Sequence, residues 1–223
     1  MNKKELAKYI DQTDLTPGEP YDKITAFCKD AAEQGFASVC ILPTLVETAA
    51  KALKGTDTKV CTVISFPLGM DYPETKEIET KEAIRNGAEE IDMVMNVSAM
   101  KSGLYDVVND ELARVSKACH DNNVLMKLII ETPLLTEEQI IKACELAEAN
   151  GVDIVKTSTG FKKMLPRSTT VEDVKLIRAH IRPETGLKAA GGIRTTEDAL
   201  KMIEAGATRI GASSGRDIIA GLE

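Results

Sequence analysis

Residues 60–65 read VCTVIS, residues 90–95 read EIDMVM and residues 126–131 read MKLIIE. Each stretch is short and almost continuously apolar. A strand with one wet face alternates apolar and polar residues, whereas a strand covered on both faces reads as an unbroken run. Sheets covered on both faces are parallel, because their crossovers lay helices over them. Working outward, strand-like stretches recur at Tyr9–Gln12, Ser38–Leu42, Asp153–Thr157, Leu187–Ala190 and Arg209–Ala212, and the three quoted runs become Val60–Ser65, Glu90–Met95 and Leu125–Glu131. Between them apolar residues return every three or four positions, which predicts helices over Tyr21–Gln34, Leu45–Lys54, Glu74–Asn86, Leu104–Asp121, Glu137–Asn150, Val171–Ile181 and Thr196–Ala205. Thr136 and Thr195/Thr196 stand where N-caps are needed, and Gly151 and Gly206 where helices stop. Eight strands alternating with helices over 223 residues, about 28 residues per unit, give a (β/α)8 TIM barrel near the short end of its size range. The rival, an open doubly wound sheet, calls for a glycine-rich turn after its first strand, and that turn reads QTDLTPGEP. No composition shift divides the chain, so residues 1–223 form one α/β barrel domain, with an extra N-terminal helix at Lys3–Lys8 closing its lower end.

Composition narrows the function. With 43% hydrophobic and 28% charged residues, the chain has enough apolar material for a core and is not a disordered or low-complexity segment. A formal charge of -7 and 4% aromatics speak against nucleic acid or an anionic membrane as partner. The charged N-terminus, MNKKELAKYIDQTD, does not read as a targeting segment, and no run has the length of a membrane span. Cys28, Cys40, Cys61, Cys119 and Cys144 are odd in number and scattered, which fits a reducing cytoplasm better than a disulfide framework or a zinc site. His120 and His180 alone make neither a metal cluster nor a catalytic triad. No metal is expected.

In a barrel of this kind the chemistry sits at the carboxyl ends of the strands. Two lysines interrupt apolar strands there, Lys156 in GVDIVKTSTG and Lys188 in TGLKAAGG, and Asp92 lies buried in EIDMV. One such lysine is as readily a salt-bridged structural residue as a working one. Two at corresponding places point to control of amine basicity. A lysine at its ordinary pKa of about 10.4 is almost never a free base at neutral pH, and only the free base attacks a carbonyl. Two ammonium groups about 5 Å apart, at an effective dielectric near 20, repel by roughly 3 kcal/mol, about 2.4 pKa units. Burial acts in the same direction, bringing one amine toward about 7–8, while a carboxylate holds the other charged and passes protons. Which of the two lysines is the nucleophile stays open at this level.

A second group of residues suits a phosphate. Gly191-Gly192 and GASSG at 211–215 let backbone N–H groups approach an anion, on the late strands where barrels often bind phosphate. Cys40 reads mainly as a small buried hydrophobe, with a second reading as a thiol exposed to aldehydes near the top of its strand. Glu131 at the end of KLIIE reads as a helix-cap partner, with a second reading as a further acid of the site. The KKMLPR run at 162–167 is either a solvated loop or a dock for an anionic tail.

Taken in order, IDQT at 10–13, FPLG at 66–69, EIDMV with AMKSG, KLIIET, VKTSTGF, TVEDV, LKAAGGIRT and RIGASSG resemble the deoxyribose-phosphate aldolases of the short bacterial and archaeal type, along nearly the whole chain. The resemblance implies a class I lyase on a TIM barrel. It would reversibly cleave 2-deoxy-D-ribose 5-phosphate to acetaldehyde and D-glyceraldehyde 3-phosphate in deoxyribose catabolism. It implies a Schiff base on Lys156, with no cofactor, and Lys188 and Asp92 as its catalytic companions. It also implies sugar contacts at Asp11, Thr13 and Thr159, and a phosphate resting on Gly160, Gly191, Gly192, Gly211, Ser213 and Ser214. The partners implied are small phosphosugar and aldehyde substrates and a second copy of the chain. Departures from the usual pattern fall at Gln12, Ile41-Leu42, Ser65, Pro133-Leu134 and the loop after Phe161. These bear on acceptor preference, loop closure and stability rather than on reaction class.

Overall fold

The computed structural model describes residues 1–161 and 164–222. Its centre is a closed barrel of parallel strands in the order β1 to β8: Ile10–Asp14, Ser38–Ile41, Lys59–Ile64, Glu90–Val94, Leu125–Ile129, Ile154–Lys156, Gly186–Ala190 and Arg209–Ala212. The helices are α1 (Lys3–Ala7), α2 (Tyr21–Gln34), α3 (Val46–Ala52), α4 (Pro73–Arg85), α5 (Val97–Lys101), α6 (Tyr105–His120), α7 (Glu137–Ala149), α8 (Val171–His180), α9 (Thr196–Glu204) and α10 (Gly215–Ala220). The expected eight-unit barrel is therefore the fold. Among the described residues no helix is long and apolar enough to cross a membrane.

The strands look continuously apolar, yet the barrel sorts them by a period of two. Ile91 and Met93 join the apolar layer, while Glu90 and Asp92 meet the charged side chain of Lys127 from the neighbouring strand. Leu187 and Ala189 join the same layer, and Lys188 turns to Asp11 and Asp92. Each large aliphatic buried in the apolar layer contributes roughly 1.5–3 kcal/mol. The inner layer is charged.

Local chemistry sets the helix starts. Thr136, Thr170 and Thr195 each accept the N–H of the residue three positions on, and Gln139, Asp173 and Asp198 bond back to complete capping boxes. Each such cap contributes about 0.5–2 kcal/mol. Asn2 and Glu5 do the same for α1, whose Leu6 and Ala7 are buried and which packs on α10.

Most boundaries shift by a residue or two from the sequence reading, and three differences bear on the site. β1 runs to Asp14, past the expected Gln12, because Thr13 and Asp14 stay in register with Cys40 and Ile41 of β2. β5 stops at Ile129 because Glu131 adopts a left-handed backbone, φ +58°. The short helix α5, capped by the Asn96 side chain on the Ala99 N–H, was not expected.

A second ion pair lies outside the barrel. Lys76 of α4 and Glu111 of α6 are both fully buried and 2.5 Å apart. The Lys76 ammonium also donates to the Gly69 and Val94 carbonyls, each at 2.9 Å, and Glu111 accepts the Asn96 N–H at 2.8 Å. This pair ties the loop after β3 and the exit of β4 to the outer helices.

Candidate active site

Strand register builds the site. Lys156 and Lys188 are direct partners across β6 and β7, and Asp92 and Lys127 are partners across β4 and β5. The Asp92 carboxylate is the hub. Its Oδ2 accepts Lys156 Nζ at 2.7 Å and Lys188 Nζ at 2.8 Å, so the two amines lie within about twice that distance of each other. Its Oδ1 accepts Lys127 Nζ at 2.7 Å and the Cys61 thiol at 3.1 Å. Lys188 reaches Asp11 Oδ2 at 2.6 Å and Lys127 reaches Glu90 at 2.7 Å, while Arg209 clasps both Asp11 and Glu90. The layer thus holds four bases, Lys127, Lys156, Lys188 and Arg209, against three acids, Asp11, Glu90 and Asp92.

The electrostatics follow from that geometry. Burial alone would raise the Asp92 pKa, but Lys127, Lys156 and Lys188 hold it well below the usual carboxylate range. Asp11 is likewise depressed: burial opposes its charge, and Lys188, Arg209 and Lys127 outweigh burial. Burial opposes the Lys188 cation too, yet Asp11 and Asp92 hold its pKa above the ordinary lysine value. Lys127 is raised in the same way, burial being overcome by Asp92 first. The sequence argument weighed lysine against lysine. In the structure a carboxylate oxygen stands between the amines, so attraction accompanies their repulsion.

A cavity of about 510 Å³ opens above this layer. Lys156 lines it and is 3% exposed, whereas Lys188 is 0% exposed and stands behind. Of the two lysines that the residue pattern left open, Lys156 is the one in contact with the cavity.

Thr13, Thr159, Gly160, Gly191, Gly192, Gly211 and Ser213 also line the cavity. Gly191 and Gly192 have φ of +99° and +95°, and a Cβ on Gly192 would lie 2.8 Å from Ser168 Oγ. A Cβ on Gly211 would come within 3.0 Å of Lys188 Cε, so this glycine also makes room for the lysine stem.

Two expected contacts are not on the wall. Asp11 is fully buried beneath it, held by Lys188 and Arg209. Ser214 stands at the N-cap of α10 and turns its hydroxyl toward the Arg194 carbonyl at 3.4 Å. Gly160 is on the wall, but its N–H is spent on Ser158 Oγ at 3.0 Å.

Other expectations are corrected. Cys40 is fully buried in a small cluster with Cys61 and Val63, so it is not an exposed thiol. A hydrogen bond from Cys61 lowers its pKa against the effect of burial. Glu131 caps no helix with its side chain and bonds the loop after β6 instead. Lys162 and Lys163 of the KKMLPR run lie outside the described residues, and Arg167 is committed to Asp173 at 2.6 and 2.9 Å rather than free for an anion. Cys40, Cys61 and Asp92 bring their ligand atoms within 4.8 Å of one another. The place a soft metal would take is contested by Lys127, which donates to Cys61 Sγ at 3.2 Å and to Asp92.

Sequence reasoning gave no role to four residues of this region, although Lys127 stood among the polar residues expected at the strand ends. Lys127 in MKLII carries the same signal as Lys156, a lysine inside an apolar strand. Glu90 and Arg209 open their strands and read as edge polarity. Arg194 follows the glycine pair and is an exposed cation on the cavity wall.

The family model for DeoC/LacD family aldolases matches residues 3–221. The chain belongs to the DeoC/LacD aldolase family. It is 51% identical to a deoxyribose-phosphate aldolase of Thermococcus kodakarensis, over 99% of this chain and 98% of that one. It is 53% identical to a deoxyribose-phosphate aldolase of Clostridium perfringens, over 96% and 94% of the two chains. Among solved structures it is similar to the aldolase QR15, with a TM-score of 0.91 and 43% identity over 97% of this chain and 95% of that one. It is also similar to the deoxyribose phosphate aldolase of Aeropyrum pernix, described as a tetramer, with a TM-score of 0.90 and 29% identity over 98% and 91%. DeoC/LacD membership agrees with the barrel and with the family resemblance read from the motifs.

Proposed function

We propose that this protein is a class I aldolase that reversibly cleaves 2-deoxy-D-ribose 5-phosphate to acetaldehyde and D-glyceraldehyde 3-phosphate, with Lys156 as the Schiff-base residue. The observation that carries the reading is that Lys156, alone of the three lysines inside the barrel, lines the cavity while sharing one Asp92 oxygen with Lys188. Lys156 is one of four bases set against three acids in this layer, and it is the one that meets the cavity. Its Nζ attacks C1 of the open-chain aldehyde, and loss of water leaves an iminium. Removal of the 3-hydroxyl proton breaks C2–C3, the electron pair passing into the iminium, and glyceraldehyde 3-phosphate departs. The enamine is protonated at C2 and hydrolysed, releasing acetaldehyde and the amine. The Lys188–Asp92 pair lies where these protons are exchanged, and the iminium itself is the electron sink, so no cofactor is invoked. The phosphate would meet Gly191, Gly192, Ser213 and the Arg194 guanidinium.

Borohydride added with acetaldehyde is expected to fix an ethyl group on Lys156, located by peptide mass spectrometry. Capture on Lys188 instead, or none at all, would overturn the assignment.

The same reading includes a cytoplasmic, catabolic enzyme, which the five unpaired cysteines suit. It also includes a homodimer. Leu68, Met70, Tyr72 and Ile78 are 56%, 55%, 80% and 68% exposed within one stretch, an apolar face suited to a second copy. Light scattering after gel filtration should return twice the chain mass.

A further inference from the structure

Glu131 is the group near the cavity that the mechanism does not use, and it is held in an unusual way. Its backbone is left-handed, φ +58° and ψ +59°, a conformation that side-chain-bearing residues seldom adopt. Its side chain is buried, the residue being 3% exposed. Among the described residues, every hydrogen bond of its carboxylate goes to one turn. Oε1 accepts the Ser158 hydroxyl at 2.5 Å, and the Thr159 N–H reaches Oε1 at 3.1 Å and Oε2 at 3.3 Å. Ser158 Oγ in turn accepts the Gly160 N–H at 3.0 Å. The backbone reinforces the link, since Thr132 N–H donates to the Thr157 carbonyl at 2.8 Å.

We propose that Glu131 is a positioning residue whose carboxylate, acting through Ser158, fixes the turn at 158–160 so that Thr159 and Gly160 face the phosphosugar. This rests on the aldolase reading above and deepens it. The turn follows Lys156 directly and forms one wall of the cavity. The opposite loop comes close: a Cβ on Gly160 would lie 3.4 Å from the Gly191 Cα, so a small shift of the turn changes the width between the loops after β6 and β7. Glu131 itself does not line that cavity and borders a smaller hollow of about 270 Å³ on the far side of Thr159. It acts through the turn, not on the reacting atoms. Charge-assisted hydrogen bonds to a buried carboxylate are strong and directional, so replacing the carboxylate frees the Thr159 amide and the Ser158 hydroxyl together.

The test separates a large substrate from a small one. In Glu131→Ala the KM for 2-deoxyribose 5-phosphate is expected to rise about tenfold or more, the scale of losing a charge-assisted hydrogen bond, with a smaller change in kcat. Borohydride capture of acetaldehyde on Lys156 is expected to proceed at close to the wild-type rate, because acetaldehyde does not reach the turn. Glu131→Gln, which keeps an acceptor oxygen, should fall between. Ser158→Ala should shift KM in the same direction and add nothing in the Glu131→Ala background. An unchanged KM in Glu131→Ala, or a capture rate that falls in step with cleavage, would overturn the proposal. Should Glu131→Ala fail to fold, Ser158→Ala alone decides by the same KM criterion. Failure of the wild-type protein to capture acetaldehyde would count against the aldolase reading and is a separate outcome.

Discussion

Two clusters of buried charge, one inside the barrel and one between its outer helices, are built to different ends. Between α4 and α6, one ammonium meets one carboxylate, and Lys76 spends its remaining bonds on two carbonyls. Every donor has an acceptor and the charges cancel. Inside the barrel, four bases share three acids, and one of the bases faces a cavity. Both clusters bear the desolvation cost that makes buried ions scarce. The first recovers it by saturation and serves as a clamp. The second leaves an imbalance, four bases to three acids, beside a cavity. Completeness marks the structural cluster, and the unmatched member marks the chemical one.

The sharpest break in this comparison is Lys156→Ala. Cleavage of 2-deoxyribose 5-phosphate should fall by about 10⁴-fold or more, as when a covalent nucleophile is removed. The melting temperature should hold or rise, because three bases then face three acids. A marked loss of stability would show that the imbalance has been misread. Lys76→Met tests the other side. It leaves Glu111 buried without its counter-ion and should cost about 3–5 kcal/mol in urea unfolding, while kcat of the folded fraction stays within severalfold. Comparable losses of activity in the two variants would erase the distinction.

The smallest effect is on pH dependence, and the two clusters differ in sign. Asp92 and Asp11 are depressed in the folded state, so their contribution is complete above the unfolded value near 3.9 and is lost as pH falls through their folded values. Burial raises Glu111 despite Lys76, so its contribution is complete below the unfolded value near 4.3 and is lost as pH rises through its folded value. Urea titrations from pH 3 to pH 7 on the wild-type chain should show a net fall in stability below about pH 4, because two carboxylates outweigh one. A rise there would reverse the ranking.

Much of this was legible before any coordinates. The runs at 60–65, 90–95 and 126–131 announce strands covered on both faces, and Lys156, Lys188 and Asp92 stand out because charge inside such runs is costly. What stayed hidden depends on partners. Lys127 carries the same sequence signal as Lys156, and only access and neighbours tell them apart. Asp11 was expected at the sugar, yet Arg209, nearly two hundred positions away in sequence, holds it under the floor. Glu131 gave no sign of its left-handed backbone, since nothing in KLIIET calls for one. Ser214 and Gly160 had the right composition for an anion, but their polar groups were already engaged.

All seven charged groups of the inner layer are mounted on strands: Asp11 on β1, Glu90 and Asp92 on β4, Lys127 on β5, Lys156 on β6, Lys188 on β7 and Arg209 on β8. The rim that meets the rest of a substrate is mostly connecting segment. Mutational drift or laboratory selection can therefore rewrite what is admitted at the mouth while leaving bond-making at the staves alone. A library confined to the loops should yield altered appetites far more often than dead protein.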